Sequence, residues 1–378
     1  MAAVPDVVSL FTELAAIPSP SGAERAVADR VADYLGAVGL EVDEDGAGAA
    51  IDSDTGNLYA RLEPTAEGLP LFLCAHLDTV PPAGAIEPVL EENVVRNANE
   101  TILGADNKAA IVVMLEAARR LRAERRAHAG LELVFTPKEE VGLVGATAFD
   151  HTRLAARVGY VYDQAAPIGE IVLGAPHARV LDLRFHGRAA HSGMYPEDGR
   201  SAIAAAGRAI ADFRLGRIDD ETTTNVGRIV GGSARNIVPE WCTLEAEARS
   251  HDQTKLADVV QELIDASTFA AAAEECELET EIRRSYTGYR FRSDALPVRL
   301  AATALERTGY RPRYALSGGG ADANVFNERG LACVNLANGM AAIHTPDEHV
   351  AVEDLHAMVE VTLSLVDAAR EAEADHAA

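Results

Sequence analysis

The sequence predicts an α/β fold built on a largely parallel sheet, into which a smaller ferredoxin-like (split βαβ) domain is inserted. Three observations carry this reading. Short apolar runs ending in polar residues alternate with helical patterns over the first 176 residues. From His177 the order becomes strand, helix, two strands, helix, strand, which is the split βαβ order. After residue 287 the α/β signals resume, so 1–176 and 288–378 form one discontinuous domain and 177–287 the insertion. A chain of 378 residues is too long for one ordinary core, which agrees with two domains.

Taken in order, VPDVVSLFTELAAI and AERAVADRVADYLGAVG have helical spacing on either side of PSPSG. Ser21 is placed to cap the second helix and Gly39 to end it. Short strands at 40–43 and 57–62 flank a Gly/Asp-rich turn. Residues 71–80, LFLCAHLDTV, lie between Pro70 and Pro81-Pro82 and read as a buried strand. Residues i and i+2 of a strand share a face, so His76 and Asp78 project together. A loop leads to a helix beginning near Asp106 and Asn107, either of which can cap it. LELVFTPKEE is a strand entering a polar turn, and VGYVYDQ a strand ending on Asp163. In the insertion, ARVLDLRFHGRAA alternates as an antiparallel strand does. SAIAAAGRAIADFRL is helical, TNVGRIVGG and CTLEAEARS are strands, 253–273 is a helix and LETEIRRSYTGY a strand. Beyond it lie a helix near 296–308, a turn SGGGADANVF, a strand LACVNL, a loop with His344, and a terminal helix from Val352 to about Ala372 with a frayed end.

Composition narrows the function. A hydrophobic content of 48% and a charged content of 25% are those of a soluble globular protein. No run is apolar and long enough to cross a bilayer. The N-terminus lacks a positive charge ahead of an apolar core, unlike a signal peptide. Four cysteines without CxxC spacing fit reduced thiols in a cytoplasm. A formal net charge of −25 repels phosphate and argues against nucleic acid as a partner.

Five polar clusters fall at strand ends or in the turns after them: His76/Asp78, Asp106, Glu139-Glu140, Asp163 and His344. In open α/β sheets that rim gathers ligands. Two imidazoles with several carboxylates can hold one or two Zn²⁺, Mn²⁺ or Co²⁺ ions and leave an acid for proton transfer. Each member has a plainer reading as well. Asp106 can cap a helix, Glu139-Glu140 can be a solvated turn, Asp163 can end a strand and His344 can cap a loop. Five coincidences of this kind in one domain favour a metal centre.

AHLDTV, LGADNKAA, PKEEVGLVGA, VYDQ, RAAHSGMYPEDG, GGGADANVFNERG and IHTPDEHV, in this order over nearly the whole chain, resemble the M20 metallopeptidase family, and within it the peptidase T-like (tripeptidase-like) branch. The resemblance implies a di-metal hydrolase whose insertion is a lid and dimerisation domain. His76 and Asp163 would hold one ion, Glu140 and His344 the other, and Asp106 would bridge them. Asp78 would orient His76, and Glu139 would act as general base and then acid. His191 would serve the partner's active site in a homodimer by stabilising the oxyanion. Asn236 and Arg249 would bind substrate, the guanidinium clamping a carboxylate. Taken alone, His191 can also be a loop residue that bonds locally, and Arg249 can be a surface ion pair. An Asp at 163 resembles the peptidases, where deacylases and glutamate-releasing carboxypeptidases more often have Glu. The chain departs from the commonest pattern at Asn107 and Ala321, neither a ligand position. The expectation is a cytoplasmic two-metal aminopeptidase of short peptides, with an N-acyl amino acid amidase or a silent metal-binding dimer as alternatives.

Overall fold

The computed structural model describes residues 5–372; residues 1–4 and the expected frayed end, 373–378, lie outside this span. The chain divides into two compact units. The first comprises residues up to Gly174, Arg290–Ser317 and those from Ala321 onward; the second comprises Ala175–Tyr289 with Gly318–Gly320.

The first unit is a mixed sheet between helices. Its strands run in the order Val42–Glu44, Leu58–Leu62, Leu131–Thr136, Leu71–His76, Val158–Gln164, Ala332–Ala337 and Glu170–Ala175. The central neighbours are parallel, with Leu71 opposite Leu131 and Val158 at one end and His76 opposite Thr136 at the other. Parallel strands are covered on both faces, which explains why every residue of Leu71–His76 and Leu131–Thr136 is buried. Glu132 is tolerated there because its carboxylate accepts hydrogen bonds from the Tyr59 hydroxyl (2.7 Å) and the Ala156 N–H (2.8 Å). At Gly159 a Cβ would lie 2.2 Å from the Phe72 ring, so only glycine lets these neighbouring strands carry that phenyl group.

The helix Ala105–Ala123 packs on Leu71–His76 and against the helices Val7–Ala15 and Val352–Glu371. It is buried continuously from Ala105 to Ala118. Neither Asp106 nor Asn107 caps it. The N-cap is Gly104 at φ +79°, both residues have non-helical backbone angles, and the regular helix begins at Lys108. Ser21 does not cap Arg25–Ala37 either; its hydroxyl donates to Asp78 Oδ2 at 2.6 Å. The expected loop before Ala105 contains a hairpin, Pro88–Glu91 and Val94–Asn97, joined through Glu92 and Asn93 at φ +46° and +70° and extended by His349–Ala351. Beyond the triple glycine lies a helix, Asp322–Glu328, whose N-cap is Ala321.

The second unit is an antiparallel sheet in the order Gly216–Asp219, Thr222–Gly231, Trp241–Ser250, His177–His186, Glu277–Tyr286. Its four long strands follow the split βαβ arrangement, and the short strand Gly216–Asp219 is an addition at the edge. The helices Ala202–Asp212 and Gln253–Ala273 close a core that includes Leu181, Phe185, Leu244, Leu256 and Leu263. Ser201 caps the first helix by accepting the Ala204 N–H at 3.1 Å. Gly318–Gly320 groups with this unit because Gly320 lies against Tyr286, where a Cβ would come within 2.7 Å of the ring.

Candidate active site

The parallel register brings His76, Thr136 and Asp163 to the same rim of the sheet in the first unit. His76 is the last residue of its strand. Asp78 lies beyond the strand end, so its pairing with His76 is not made by strand alternation. The His76 Nδ1 atom is 2.9 Å from the Asp78 main-chain oxygen and 3.4 Å from its Oδ1. The carboxylate also organises the next turn, accepting the Glu139 N–H at Oδ1 (2.9 Å) and the Glu140 N–H at Oδ2 (3.2 Å). One buried carboxylate thus spans the imidazole and the acidic pair. Burial works to raise the Asp78 pKa, yet His76 and the Ser21 hydroxyl hold it below its ordinary value.

Asp106 occupies the centre of the cluster. Its Oδ1 is 3.1 Å from His76 Nε2 and its Oδ2 is 3.1 Å from His344 Nε2. Asp163 Oδ1 lies 3.6 Å from His76 Nε2, and Glu140 Oε1 lies 2.9 Å from His344 Nε2. The structure therefore brings His76, Asp106, Glu140, Asp163 and His344 together with Asp78 and Glu139. Asp163 is seated by Asn335, whose side chain bonds both its N–H (2.9 Å) and its carbonyl (3.1 Å). His344, half-exposed, reaches Asp106 from a loop at φ +63°.

The charges at this rim are crowded. Burial raises the Asp163 pKa to about 8, with the Asp106 charge adding to it. Burial and Asp163 push Glu139 well above the ordinary carboxylate range. Hydrogen bonds that His344 donates to Asp106 and Glu140 raise its pKa to about 10. Such a cluster is short of positive charge. Ligand atoms of His76, Asp106 and Glu140 lie within 4.8 Å of one another, and so do those of His76, Glu139 and Asp163. Two imidazoles among buried carboxylates form a donor set that fits divalent cations of the Zn²⁺, Mn²⁺ or Co²⁺ kind. Any such ion would also relieve the like-charge repulsion.

Three supporting residues were not singled out as site residues from the sequence. Glu348 is buried, and its carboxylate accepts the N–H groups of Leu103 (2.7 Å), Gly104 (2.8 Å) and Asp106 (2.9 Å). It fixes the turn that presents Asp106. The buried Lys108, its pKa lowered to about 7 by burial, donates to the Ile17 carbonyl at 2.5 Å. Glu24 accepts the Gly22 N–H (2.7 Å) and the Lys138 N–H (3.1 Å), joining the PSPSG turn to the segment before Glu139. Asp322, the first residue of Asp322–Glu328, does not cap that helix. It is buried and accepts the Thr136 hydroxyl at 2.5 Å, and burial raises it to about 6.

His191, Asn236 and Arg249 lie in the second unit. The His191 ring is exposed, and its Nδ1 accepts the N–H groups of Gly193 (3.2 Å) and Met194 (3.1 Å). In the neutral ring the proton is therefore on Nε2, which can donate. The segment bearing Asn236 runs beside it, the Asn236 carbonyl accepting the Ser192 N–H at 3.0 Å. Arg249 pairs with Glu247 at 2.9 Å, while its Nε is buried without a hydrogen-bond partner among the described residues.

Comparison with known proteins agrees with this geometry. The model of "Peptidase family M20/M25/M40" matches residues 72–368, and the chain belongs to this family. It is a metal-dependent peptidase of peptidase T-like kind. Among curated proteins it is 36% identical to YqjE of Bacillus subtilis, an uncharacterized protein, over 95% of this chain and 97% of that one. It is 23% identical to peptidase T of Haemophilus influenzae over 74% and 68% of the two chains. The solved structure of aminopeptidase PepT from Bacillus cereus is similar at 36% identity and a TM-score of 0.86, covering 96% of this chain and 98% of that one. A Staphylococcus aureus tripeptidase is similar at 33% identity and a TM-score of 0.91, covering 97% and 98%.

Proposed function

We propose that this protein is a two-metal aminopeptidase that removes the N-terminal residue from short peptides. The observation carrying the proposal is Asp106, whose two oxygens face His76 and His344 at 3.1 Å each, with Glu139 buried beside them. In this reading His76 and Asp163 would hold one ion, Glu140 and His344 the other, and Asp106 would serve both. Zn²⁺ is the first choice, with Mn²⁺ or Co²⁺ compatible with the same donors. Bound divalent cations supply Lewis-acid polarisation of the scissile carbonyl and acidify water.

The chain's own residues do the rest. Asp78 holds the His76 ring through Nδ1, leaving Nε2 to face the cluster. Glu139 takes a proton from water at its carboxylate and returns it to the departing amine nitrogen. His191 donates from Nε2 to the developing oxyanion, in the partner's site of a homodimer assembled through the second unit. Arg249, with Nε to spare, clamps the substrate carboxylate, and Asn236 contacts the peptide. The similarity to PepT aminopeptidase and a tripeptidase supports the substrate class. The chain's four scattered cysteines, all without disulfides, agree with a cytoplasmic setting.

The deciding experiment incubates the metal-reconstituted protein with a free tripeptide, its N-acetylated form and the matching dipeptide. Release of the N-terminal residue from the free tripeptide alone is the expected result. Release of acetate from the acetylated form would reassign the protein to the N-acyl amino acid amidases.

A further inference from the structure

A cavity of about 570 Å³ opens in the first unit, away from the cluster described above. Its wall includes Leu62, paired with Leu131 at the start of a strand whose last residue, Thr136, lies opposite His76. Five residue steps of strand therefore separate the two, about 17 Å. The floor is apolar, made by Leu40, Leu62 and Leu121, all buried. The rim is basic, with the guanidinium groups of Arg61, Arg122, Arg125 and Arg126. Against these four, the lining itself holds two carboxylates, Glu41 and Glu63; Asp367, which pairs with Arg126, and Glu124, whose charge also reaches Arg126, stand beside it. A positive balance in the lining itself is unexpected on a chain of net charge −25.

The simplest explanation of arginines near the end of Ala105–Ala123 is the helix terminus, where cations complement the dipole. It accounts for Arg122, which donates to the Gly39 carbonyl at 2.6 Å. It does not account for Arg61, which comes from a different element. Arg125, the residue after the C-cap Glu124, also lies within reach of the dipole, but its guanidinium has no hydrogen-bond or ion-pair partner among the described residues and is free to meet a ligand. The buried His128 adds a neutral donor: burial lowers its pKa and its Nδ1 accepts the Gly130 N–H (3.3 Å), which leaves the proton on Nε2. A cavity of this size, with an apolar floor and a few convergent donors at its rim, has the build of a small-molecule site.

We propose that this cavity binds a small amphiphilic carboxylate, its apolar body on Leu40, Leu62 and Leu121 and its carboxylate between Arg122 and Arg125. Arg125, the one rim guanidinium with neither a carboxylate nor a carbonyl partner among the described residues, supplies the charge for a monoanion. A guanidinium fork matches a carboxylate in shape as well as charge. The proposal is independent of the peptidase reading, because no residue of the cavity belongs to the His76–Asp106 cluster.

Calorimetric titration of the metal-reconstituted full chain with octanoate, octanamide and acetate tests it. Octanoate is expected to bind one site per chain. Octanamide, lacking the charge, and acetate, lacking the apolar body, are expected to bind at least about tenfold more weakly. Arg122→Gln/Arg125→Gln should weaken octanoate at least about tenfold, the loss of charge-assisted hydrogen bonds. Arg125→Gln alone should weaken it several-fold; that side chain holds no partner, so its loss cannot act through unfolding. Equal octanoate affinity in these variants would place the carboxylate elsewhere and overturn the proposal. So would equal binding of octanamide, or no binding of octanoate to the unaltered protein.

Discussion

At the level of single residues, the two oxygens of Asp78 accept hydrogen bonds from Ser21, Glu139 and Glu140 while its main chain meets His76. Asp78→Ala would leave the N–H groups of Glu139 and Glu140 without their acceptor and remove the carboxylate beside His76 Nδ1. A loss of about 10–100-fold in kcat/KM and in metal affinity is expected, read by chelator competition and tripeptide hydrolysis. Glu139→Gln should behave differently, keeping the bound metal measured by elemental analysis while kcat falls about 10²–10⁴-fold, as the loss of proton transfer requires. A third residue bears on stability alone. His151 stacks edge-on to Phe149 and Phe326, and burial, with Arg329 adding to it, lowers its pKa to about 4. The unfolded chain therefore binds the proton more readily. This contribution to stability is complete above pH ~6.5 and is lost as the pH falls toward 4. Discounted for the ring's partial exposure it is on the order of 1–2 kcal/mol. His151→Gln should flatten the urea midpoint between these pH values relative to the parent protein.

Among the elements, the turn before Ala105–Ala123 depends on one distant side chain. Glu348→Gln keeps one acceptor oxygen but sets an amide NH₂ against N–H groups, which should cost about 2–3 kcal/mol in urea unfolding and weaken metal binding through Asp106. Gly159→Ala is the contrasting case: it crowds the Phe72 ring and should cost about 1–3 kcal/mol while leaving metal affinity unchanged. These two elements also mark how far the sequence can be read. The central strands and both long helices of the first unit were legible because their apolar runs are long and bounded by proline or glycine. That the seven residues from His76 to His344 gather at one rim was legible because they fall at strand ends or in the turns, loops and helix start near that rim. The hairpin Pro88–Glu91/Val94–Asn97 was not, since two four-residue strands show too little alternation to stand out from a loop. Glu348 was not, because an acid in a polar loop gives no sign that it will be buried under N–H groups from residues 103–106. Ser21 has the sequence position of a helix cap, and only the tertiary fold gives its hydroxyl to Asp78 instead.

For the molecule as a whole, charge is the dominant unbalanced term. With 59 acids against 34 lysines and arginines, self-repulsion opposes the compact state at low ionic strength. Monovalent salt screens this over a Debye length of about 10 Å at 0.1 M, so the melting temperature should rise with NaCl. The buried rim carboxylates respond to salt much less, because they are shielded from the bulk ions; a divalent cation that binds among them stabilises by mass action instead, by about 2.7 kcal/mol at one hundred times its dissociation constant. The two effects separate experimentally. In chelator, added NaCl should raise the melting temperature of the parent protein and of Asp106→Asn alike. At matched ionic strength, micromolar Zn²⁺ or Mn²⁺ should give a further rise in the parent that is largely lost in Asp106→Asn, since that carboxylate is the one facing both imidazoles. An equal metal increment in the two proteins would mean that the cations act on the surface field, and the central position given to Asp106 would then be wrong.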